Sequence, residues 1–336
     1  MSRPKVFATR VLPKEAHDIL VAEADLEVWP EYTKPPQDVL LSKAAECEGL
    51  LSTIEDVVNE EVLTAASDKL RVVANFAVGY NNLDVATATR LGIAVSNTPN
   101  VLENTTADLA FALLMATARR VTEGDRDARL GEWRNWHPLA YAGMDIHHAA
   151  LSIIGLGQIG LAVMNRAMGF EMEIYYHSRT RKPAVEKQYG IRWSPDLNSA
   201  LEVADYVSLH APLTPATQHM IGKEQLARMK PTAILINTAR GALVDHVALF
   251  EAVRDEVIWG VGLDVTDPEP LPPENPLFTL RNVVITPHVG SSSMKTRTAM
   301  AVLAARNIVA CFRGEKMPSC VNPVIFENFS SNKGSI

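Results

Sequence analysis

Residues 151–160 read Leu-Ser-Ile-Ile-Gly-Leu-Gly-Gln-Ile-Gly, and this stretch decides the fold of the chain. An apolar run leads into a glycine-rich turn, after which apolar residues recur at helical spacing. In such a strand–turn–helix unit, Gly155 permits the tight turn, Gly157 lets the backbone approach a pyrophosphate, and Gly160 lets the helix pack close to the sheet. The free N–H groups at the helix start would face the phosphates. We therefore expect an α/β domain that binds a dinucleotide.

Strand-like apolar runs alternate with helical patterns on both sides of this unit. That alternation predicts parallel sheets covered by helices, and the presence of two such series predicts two α/β domains. The strands expected in the first series are Val6–Thr9, Leu26–Trp29, Gly49–Ser52, Leu70–Phe76 and Ala94–Ser96. Those expected in the second series are Leu151–Ile154, Glu173–Tyr176, Tyr206–Leu209, Ala233–Ile236, Ile258–Val265 and Val283–Thr286.

Two long amphipathic segments are expected to connect the domains. The first, Thr106–Leu130, would span about 37 Å as an unbroken helix, given the helical rise of about 1.5 Å per residue. The second, Ser291–Arg313, follows the last expected strand and could be capped by Ser291 or Ser292. If this segment returns the chain to the first domain, that domain is discontinuous and a cleft separates the two domains.

Composition excludes several classes of function. The 336 residues are 47% hydrophobic and 21% charged with a net charge of −7, which is ordinary for a globular protein and opposes nucleic-acid binding. The longest apolar stretch, Ala110–Ala118, is about half the length of a membrane-spanning helix. The three cysteines form no CxxC pair and the N-terminus shows no secretory signal, so we expect a cytoplasmic protein without disulfides. Because His147 and His148 are neighbours that face apart and lack a carboxylate pair, no metal site is expected.

Three residues capable of acid–base or anion chemistry each follow an apolar run of the second series. Arg240 lies in the run Asn-Thr-Ala-Arg-Gly, Glu269 in Pro-Glu-Pro and His288 in Thr-Pro-His. The carboxyl ends of parallel strands meet at one edge of a sheet, and ligands bind at that edge in open α/β folds. We therefore expect the three side chains to form one reaction centre.

These residue types suit the reduction of a small keto acid. An Arg can bind a carboxylate with two parallel hydrogen bonds and polarise a neighbouring carbonyl group. A His carries a proton near neutral pH, so His288 is the expected proton donor to the carbonyl oxygen while hydride arrives from a nicotinamide. Glu269 would accept a hydrogen bond from the second ring nitrogen, fix the tautomer and favour the charged imidazolium.

The strand that follows the glycine-rich unit distinguishes the two nicotinamide cofactors. An NAD site typically has Asp or Glu at the end of this strand to bond the ribose hydroxyls, whereas this chain has Ser178. Arg179 and Arg181 offer positive charge to a 2′-phosphate. We therefore expect NADP(H) to be preferred over NAD(H). If the two arginines are instead solvated loop cations, the specificity is dual.

Four segments together resemble those of the D-2-hydroxyacid dehydrogenase family. They are GLGQIG at residues 155–160, NTARG at 237–241, GLDVTDPEPL at 262–271 and TPHVGSSS at 286–293. The resemblance extends from Val6 to about Pro323. Within the family, the chain is most similar to the branch of glyoxylate/hydroxypyruvate reductases and 2-ketogluconate reductases.

This resemblance implies an α/β fold of two Rossmann/flavodoxin-like parallel-sheet domains separated by an active-site cleft. Residues 1–103 plus 289–336 would form a discontinuous substrate-binding domain, and residues 104–288 an NADP(H)-binding Rossmann domain. The resemblance also implies a homodimer. Arg240, Glu269 and His288 carry over as the catalytic residues.

Further site residues follow from the same resemblance. The backbone N–H groups of Val78 and Gly79 are expected to bind the substrate carboxylate, as a glycine-containing turn after a strand can do. Leu51 is expected near the substrate. Trp136 is expected to reach the pocket of the neighbouring subunit or, alternatively, to be an interface or core aromatic. Other positions match residues that contact the cofactor: Thr106, Gly155, Gly157, Gln158, Ile159, Gly160, Ser178, Arg179, Arg181, Pro212, Thr217, Thr238, Ala239, Asp264, His288 and Gly290.

The resulting hypothesis is the NADPH-dependent reduction of a small 2-oxo acid to the D-2-hydroxy acid. Candidate substrates are glyoxylate, hydroxypyruvate and 2-keto sugar acids such as 2-ketogluconate and 2-keto-L-gulonate. One alternative is an NAD-dependent D-2-hydroxyacid dehydrogenase that acts on a different substrate. A second alternative is a non-catalytic relative that senses nucleotides, which the retention of Arg240, Glu269 and His288 opposes.

Overall fold

Two parallel β-sheets, one of five strands and one of seven, organise residues 3–326, the part of the chain that this computed structural model describes. The first unit combines residues 3–102 with residues 292–326, and the second unit runs continuously through residues 103–291. Each unit contains one of the two sheets. The prediction of two parallel-sheet α/β domains is confirmed.

Strands and helices alternate along most of the chain, as parallel pairing requires. The strands are β1 (Lys5–Ala8), β2 (Asp25–Val28), β3 (Gly49–Ser52), β4 (Val72–Asn75), β5 (Ala94–Ser96), β6 (Ala150–Ile154), β7 (Glu173–His177), β8 (Arg192–Trp193), β9 (Tyr206–Leu209), β10 (Ile234–Asn237), β11 (Gly260–Leu263) and β12 (Val283–Ile285). The helices are α1 (Lys14–Glu23), α2 (Gln37–Glu46), α3 (Glu60–Ala65), α4 (Val85–Arg90), α5 (Glu103–Ala118), α6 (Val121–Arg129), α7 (Gln158–Met168), α8 (Pro183–Tyr189), α9 (Leu197–Val203), α10 (Lys223–Arg228), α11 (His246–Arg254) and α12 (Met294–Arg313).

The sheet of the first unit has the strand order β2-β1-β3-β4-β5, which is the order of flavodoxin-like folds. Its central strand β3 is buried at every position, as expected of a parallel strand with both faces covered. Helix α12 packs against α1, β3 and β4, so a segment that follows the second unit in sequence completes the first. Ser293 caps this helix by accepting a hydrogen bond from the N–H of Thr296. The cap is thus Ser293 and not Ser291 or Ser292.

The sheet of the second unit has the strand order β12-β11-β10-β9-β6-β7-β8. The order reverses between β6 and β9, which are neighbours in the sheet and give it the Rossmann arrangement. Successive residues of β6 enter opposite cores, because side chains alternate across a strand. Leu151 and Ile153 pack in one hydrophobic core, and Ile154 packs in the other. Loops that leave this sheet at the reversal point are therefore in the usual place for a ligand site.

The segment expected as one helix over Thr106–Leu130 is two helices, because the chain breaks after Ala118. The carbonyl of Ala118 accepts a hydrogen bond from the N–H of Met144 at 2.9 Å, which displaces the next helical turn. Arg120 then adopts a left-handed conformation with φ of 51°. Its guanidinium makes two hydrogen bonds with Glu123 at 2.7 and 2.8 Å, so the break places an ion pair at the start of α6.

Helix α8 and strand β8 are elements that the hydrophobic pattern does not indicate. Helix α8 has no fully buried residue, and Val185 and Tyr189 are its only apolar side chains packed against the core, although Pro183 at its first turn is typical of a helix start. Strand β8 has only two residues, and Arg192 and Trp193 pair with Tyr175 and Tyr176 of β7. A two-residue edge strand has too few positions to show the alternation by which strands are identified.

Candidate active site

The three predicted catalytic residues lie in loops at the carboxyl ends of three adjacent strands. Strands β10, β11 and β12 are neighbours in the seven-stranded sheet, and the loops that leave their ends carry Arg240, Glu269 and His288. All three residues therefore belong to the second unit. The parallel topology explains how residues far apart in sequence come together at one edge.

The loop after β10 is shaped by the buried side chain of Asn237. Its Oδ1 accepts a hydrogen bond from the N–H of Ala239 at 3.0 Å, and its Nδ2 donates to the carbonyl of Arg240 at 2.8 Å. A Cβ added to Gly241 would lie 2.0 Å from the carbonyl oxygen of Thr266. Only glycine therefore lets the loop that carries Arg240 pack this closely against the loop after β11.

His288 and Glu269 form a direct pair, with Nδ1 of the imidazole 2.5 Å from Oε1 of the carboxylate. The side chains of His288 and Glu269 are 27% and 37% exposed, so a small molecule can reach them. Burial lowers the pKa of the Arg240 guanidinium, while the negative charge of Glu269 acts in the opposite direction. A guanidinium remains charged under these conditions, and its partial loss of hydration strengthens its bonds to an anion.

Asp264 fixes the loop in which His288 lies. The side chain is 2% exposed and directly follows β11. Its Oδ1 accepts hydrogen bonds from the hydroxyl of Thr286 at 2.6 Å and the N–H of Val289 at 2.8 Å, and its Oδ2 accepts from the N–H of Gly290 at 2.7 Å. Burial raises the pKa of Asp264, and these hydrogen bonds, led by that of Thr286, oppose the rise.

The same contacts hold His288 in an unfavourable backbone conformation. Its φ is 52°, in the left-handed region that residues with a Cβ rarely adopt. Its N–H donates to the carbonyls of Asp264 at 2.9 Å and Thr286 at 3.0 Å. The sequence assigns Asp264 to the cofactor alone, whereas the structure shows that both of its carboxylate oxygens position the loop of the candidate proton donor.

The glycine-rich turn has the geometry of a phosphate-binding loop. Gly155 has a φ of +98°, and a Cβ there would lie 2.7 Å from the backbone nitrogen of Ala211. A Cβ on Gly160 would lie 2.4 Å from the carbonyl oxygen of Gly155. A Cβ on Gly157, by contrast, would have no atom within 4 Å, so the backbone borders open space just before the N-terminus of α7. A pyrophosphate fits such a space, because the first N–H groups of the helix face it.

A buried hydroxyl next to Arg240 also fits a bound cofactor. Thr238 is 8% exposed, and its Oγ1 has no hydrogen-bond partner within residues 3–326. A buried hydroxyl without a protein partner is uncommon and points to a ligand or water that satisfies it. The glycine turn and Thr238 together therefore fit a nicotinamide dinucleotide.

Other residues predicted to contact the cofactor occupy the ends of the same elements. A Cβ on Gly290 would lie 3.4 Å from the methyl group of Thr106, so these two positions are in close contact. The hydroxyl of Thr217 donates to the carbonyl of Pro212 at 2.7 Å and closes the loop after β9. At the start of α7, Gln158 is exposed and Ile159 half-buried, and Ala239 is half-buried beside Arg240.

The two arginines after β7 have different surroundings. Arg181 bonds Glu186 through Nε at 3.0 Å and Nη2 at 2.8 Å, and its guanidinium lies 5.0 Å from the ring centre of Trp193. The hydrogen bonds from Arg181 and Tyr176 lower the pKa of Glu186 to about 2. Arg179 is exposed, and Ser178 donates its hydroxyl to the carbonyl of Thr180 at 2.7 Å. Arg181 therefore has an ion-pair partner within the protein.

In the first unit, two asparagines hold the turn that contains Val78 and Gly79. Nδ2 of Asn97 donates to the carbonyl of Val78 at 2.8 Å, and Nδ2 of Asn75 donates to the carbonyl of Gly79 at 3.0 Å. Sequence reasoning missed both asparagines. Asn75 could have been found from the sequence, because it is a polar residue that ends the otherwise apolar strand β4, Val-Val-Ala-Asn. Leu51 lies in β3 of the same unit and is fully buried.

Trp136 is 81% exposed, within a stretch of the second unit that has several exposed apolar side chains. Leu130, Trp133 and Leu139 are also exposed. Trp136 is therefore not a core residue of its own chain. No helix among residues 3–326 is long and apolar enough to cross a membrane, and in the same range no three His, Cys, Asp or Glu side chains are grouped to hold a metal ion.

Comparison with known proteins defines the family. The model of the D-isomer specific 2-hydroxyacid dehydrogenase NAD-binding domain matches residues 111–290. The chain is 48% identical over 321 residues to glyoxylate reductase of Korarchaeum cryptofilum, with 95% of this chain and 96% of the relative covered. It is 47% identical over 329 residues to glyoxylate reductase of Pyrococcus furiosus, with 97% of each chain covered.

Solved structures agree with this assignment. The TT0316 protein of Thermus thermophilus superimposes with a TM-score of 0.89 at 45% identity, covering 94% of this chain and 99% of that one. The NADPH-dependent glyoxylate/hydroxypyruvate reductase of Sinorhizobium meliloti, in complex with NADP and malonate, has a TM-score of 0.85 at 30% identity, covering 95% and 97%. The chain therefore belongs to the D-isomer specific 2-hydroxyacid dehydrogenase family and is an NAD(P)-dependent oxidoreductase.

Proposed function

We propose that this protein reduces a small 2-oxo acid, with glyoxylate as the first candidate, to the 2-hydroxy acid and uses NADPH as the reductant. The observation that carries the proposal is the 2.5 Å contact between Glu269 and His288 at the ligand-binding edge of a dinucleotide-binding sheet. A carboxylate in this position fixes the direction of the imidazole, which as a general acid can give a proton to a carbonyl oxygen. The relatives named glyoxylate reductase support this choice of substrate.

Each catalytic residue has a separate task in the proposed reaction. A bound nicotinamide dinucleotide supplies the hydride that reduces the carbonyl carbon. His288 donates a proton from Nε2 to the carbonyl oxygen, and Glu269 keeps the proton on Nδ1 and so fixes the orientation of the ring. Arg240 binds the substrate carboxylate and favours the negative charge that develops on the carbonyl oxygen.

The first unit is proposed to bind the substrate carboxylate through the N–H groups of Val78 and Gly79. Leu51, which is fully buried in β3, is proposed only to lie near the substrate. Among residues 3–326, no hydrogen bond has the N–H of Val78 or Gly79 as its donor. Two adjacent amides without acceptors suit an anion. Hydroxypyruvate and the 2-keto sugar acids carry the same 2-oxo carboxylate group as glyoxylate, so the longer acids are tested together with it.

Preference for NADPH is proposed from the residues after β7. Ser178 stands where an acidic residue would favour NADH, and the exposed guanidinium of Arg179 can bind a 2′-phosphate. The name of the Sinorhizobium meliloti relative, which describes it as NADPH-dependent, supports this preference.

A homodimer is proposed from the exposed apolar side chains of residues 130–139. A cluster of large apolar residues on a surface is typical of an interface, and a second copy of this chain is the partner we propose. Trp136 is the residue that we expect to reach the substrate of the partner subunit. Light scattering during gel filtration measures the mass, and a monomer at micromolar concentration would contradict this proposal.

A panel of 2-oxo acids offered with NADPH tests the proposed function. Glyoxylate, hydroxypyruvate, 2-ketogluconate and 2-keto-L-gulonate are each followed by the loss of nicotinamide absorbance. We expect turnover of glyoxylate, and we expect His288→Ala to lower kcat by about 10²- to 10⁴-fold, the usual effect of removing a general acid. An enzyme that reduces none of these acids, or a variant with a near wild-type kcat, would refute the proposal.

A further inference from the structure

Two of the carbonyl groups in the turn of residues 76–80 after β4 accept hydrogen bonds from asparagine side chains. Asn97 binds the carbonyl of Val78, and Asn75 binds the carbonyl of Gly79. In a planar trans peptide the carbonyl oxygen and the following N–H point in opposite directions. The asparagines therefore also fix the directions of the N–H groups of Gly79 and Tyr80, which point away from them.

Those N–H groups are available to a ligand. Within residues 3–326, no hydrogen bond has the N–H of Val78, Gly79 or Tyr80 as its donor. Val78 and Gly79 are half-buried and Tyr80 is exposed, so the amides border the surface of the unit. A run of N–H groups that point the same way forms a concave site for an anion.

The side chain of Asn75 is itself held by hydrogen bonds at both its oxygen and its nitrogen. The residue is fully buried, its Oδ1 accepts from the hydroxyl of Ser52 at 3.2 Å, and its Nδ2 also donates to Oδ1 of Asn82 at 3.2 Å. Asn82 in turn donates to the carbonyls of Thr53 and Asp56, both at 2.9 Å. The network therefore joins the turn after β4 to the loop after β3, and a buried amide with all of its bonds formed has one orientation.

We propose that Asn75 is a positioning residue that holds the Gly79 carbonyl and thereby adds the N–H of Tyr80 to those of Val78 and Gly79 that face the carboxylate of a 2-oxo acid. The inference rests on the proposed function, because it assumes that this turn binds the substrate. Asn75 acts through the backbone and does not touch the substrate. Its loss should therefore weaken the binding of carboxylates and leave the binding of the dinucleotide in the second unit unchanged.

The test compares Asn75→Ala with Asn322→Ala. Asn322 is a matched control, because it is a buried asparagine of the same unit that accepts a hydrogen bond from the N–H of Val95 at 2.8 Å and donates to the carbonyl of Ile93 at 2.9 Å. We expect Asn75→Ala to raise the KM for glyoxylate and the inhibition constant of oxamate by the same factor, about 10-fold or more. Asn322→Ala should lower the Tm to a similar extent without changing either constant. The Kd for NADPH should stay within twofold in both variants.

A second variant, Asn75→Asp, gives a readout that a purely structural role would not produce. A protonated Asp can donate its O–H to the Gly79 carbonyl, whereas an ionised Asp repels that oxygen. Relative to the wild type, the KM of this variant should be near normal at acidic pH and rise as the pH increases. This variant also provides the test if Asn75→Ala fails to fold.

Three outcomes separate the two proposals. A wild-type enzyme that reduces no 2-oxo acid would overturn the proposed function and this inference with it. An active wild type together with an Asn75→Ala variant whose KM and oxamate inhibition are unchanged would overturn only the role of Asn75. An Asn75→Asp variant whose KM follows the wild type at every pH would also overturn it.

Discussion

Asp264 accepts a hydrogen bond from the N–H of Gly290 at 2.7 Å, and this contact spans the loop in which His288 lies. The opposite oxygen of Asp264 binds Thr286 and Val289, so one carboxylate holds the loop both before and after His288. An ionised carboxylate satisfies all three partners, and the N–H groups of Val289 and Gly290 can only donate. The loop, and with it the candidate proton donor, is therefore sensitive to the charge of Asp264.

We expect activity to fall on the acidic side of the pH profile as Asp264 becomes protonated. Burial raises the pKa of this carboxyl, so protonation begins at a higher pH than for an exposed aspartic acid, and the donors lose their acceptor as the pH falls. Asp264→Asn should remove this acidic fall and lower kcat at neutral pH by about 10- to 100-fold, because the loop is misplaced. The exposed Asp255 provides the control as Asp255→Asn. An acidic limb that persists in Asp264→Asn would contradict the assignment.

Glu269→Ala should lower kcat, because the imidazole of His288 loses the carboxylate that lies 2.5 Å from its Nδ1 and fixes the direction of its ring. We expect a fall of about 10- to 100-fold, since a misdirected proton donor loses most of its effect. Glu269→Gln should have a smaller effect, because the amide oxygen can still accept a hydrogen bond from Nδ1. The measurement is kcat for glyoxylate at neutral pH, with the exposed Glu274→Ala as the control. A kcat of Glu269→Ala equal to that of the wild type would show that Glu269 does not orient His288 during the reaction.

Arg240→Ala should raise KM steeply and also lower kcat, because this residue is proposed both to bind the carboxylate and to polarise the carbonyl. A rise in KM of about 100-fold corresponds to the ~3 kcal/mol that a charged hydrogen bond can contribute. Arg240→Lys should have an intermediate effect, since it keeps the charge but loses the paired donors. Steady-state kinetics with glyoxylate give both parameters, and a loss confined to kcat would exclude the binding role.

Arg179 and Arg181 should contribute unequally to the choice of cofactor. The guanidinium of Arg181 is held by Glu186 and stacked on Trp193, whereas that of Arg179 is exposed. Arg179→Ala should raise the KM for NADPH by about 10-fold, as expected from the loss of one charge-assisted hydrogen bond to a phosphate. Its KM for NADH should not change. Arg181→Ala should have the smaller effect on NADPH.

The double variant Ser178→Asp with Arg179→Ala tests the preference directly. A carboxylate at position 178 repels a 2′-phosphate and can bond the ribose hydroxyls of NADH. The ratio of kcat/KM for NADPH to that for NADH should therefore reverse. If NADPH remains the better substrate in initial rates, other residues determine the choice of cofactor.

Most of the fold follows from local sequence patterns, because apolar strands and their glycine turns have strong signals. The strands Gly49–Ser52, Ala94–Ser96 and Tyr206–Leu209 have the bounds that the sequence predicts. The break at Arg120 was beyond such reasoning, since it depends on the bond from Met144 to Ala118, which is a contact between distant segments. Short edge elements such as β8 were missed for lack of a periodic pattern.

For the candidate site, too, sequence patterns predict the residues that follow strands and miss those that depend on contacts between distant segments. Arg240, Glu269 and His288 each follow a recognisable apolar run, so parallel topology is enough to bring their loops to one edge. Asn75, Asn97 and the second role of Asp264 depend on side-chain directions, which no spacing rule supplies. These residues act on the backbone of neighbouring loops, and their importance becomes visible only when the hydrogen bonds are seen.

The chain leaves the first unit after residue 102 and returns to it at residue 292, and α12 then packs against α1, β3 and β4. During synthesis on a ribosome, the first unit therefore cannot complete its fold until α12 has been made, and α12 is made only after the whole second unit. At roughly 5–20 residues per second this delay is about 10–40 s. The continuous second unit can finish folding first. Until α12 is made, the nascent N-terminal sheet has exposed apolar faces, and chaperones and proteases have their best access to the chain during this period.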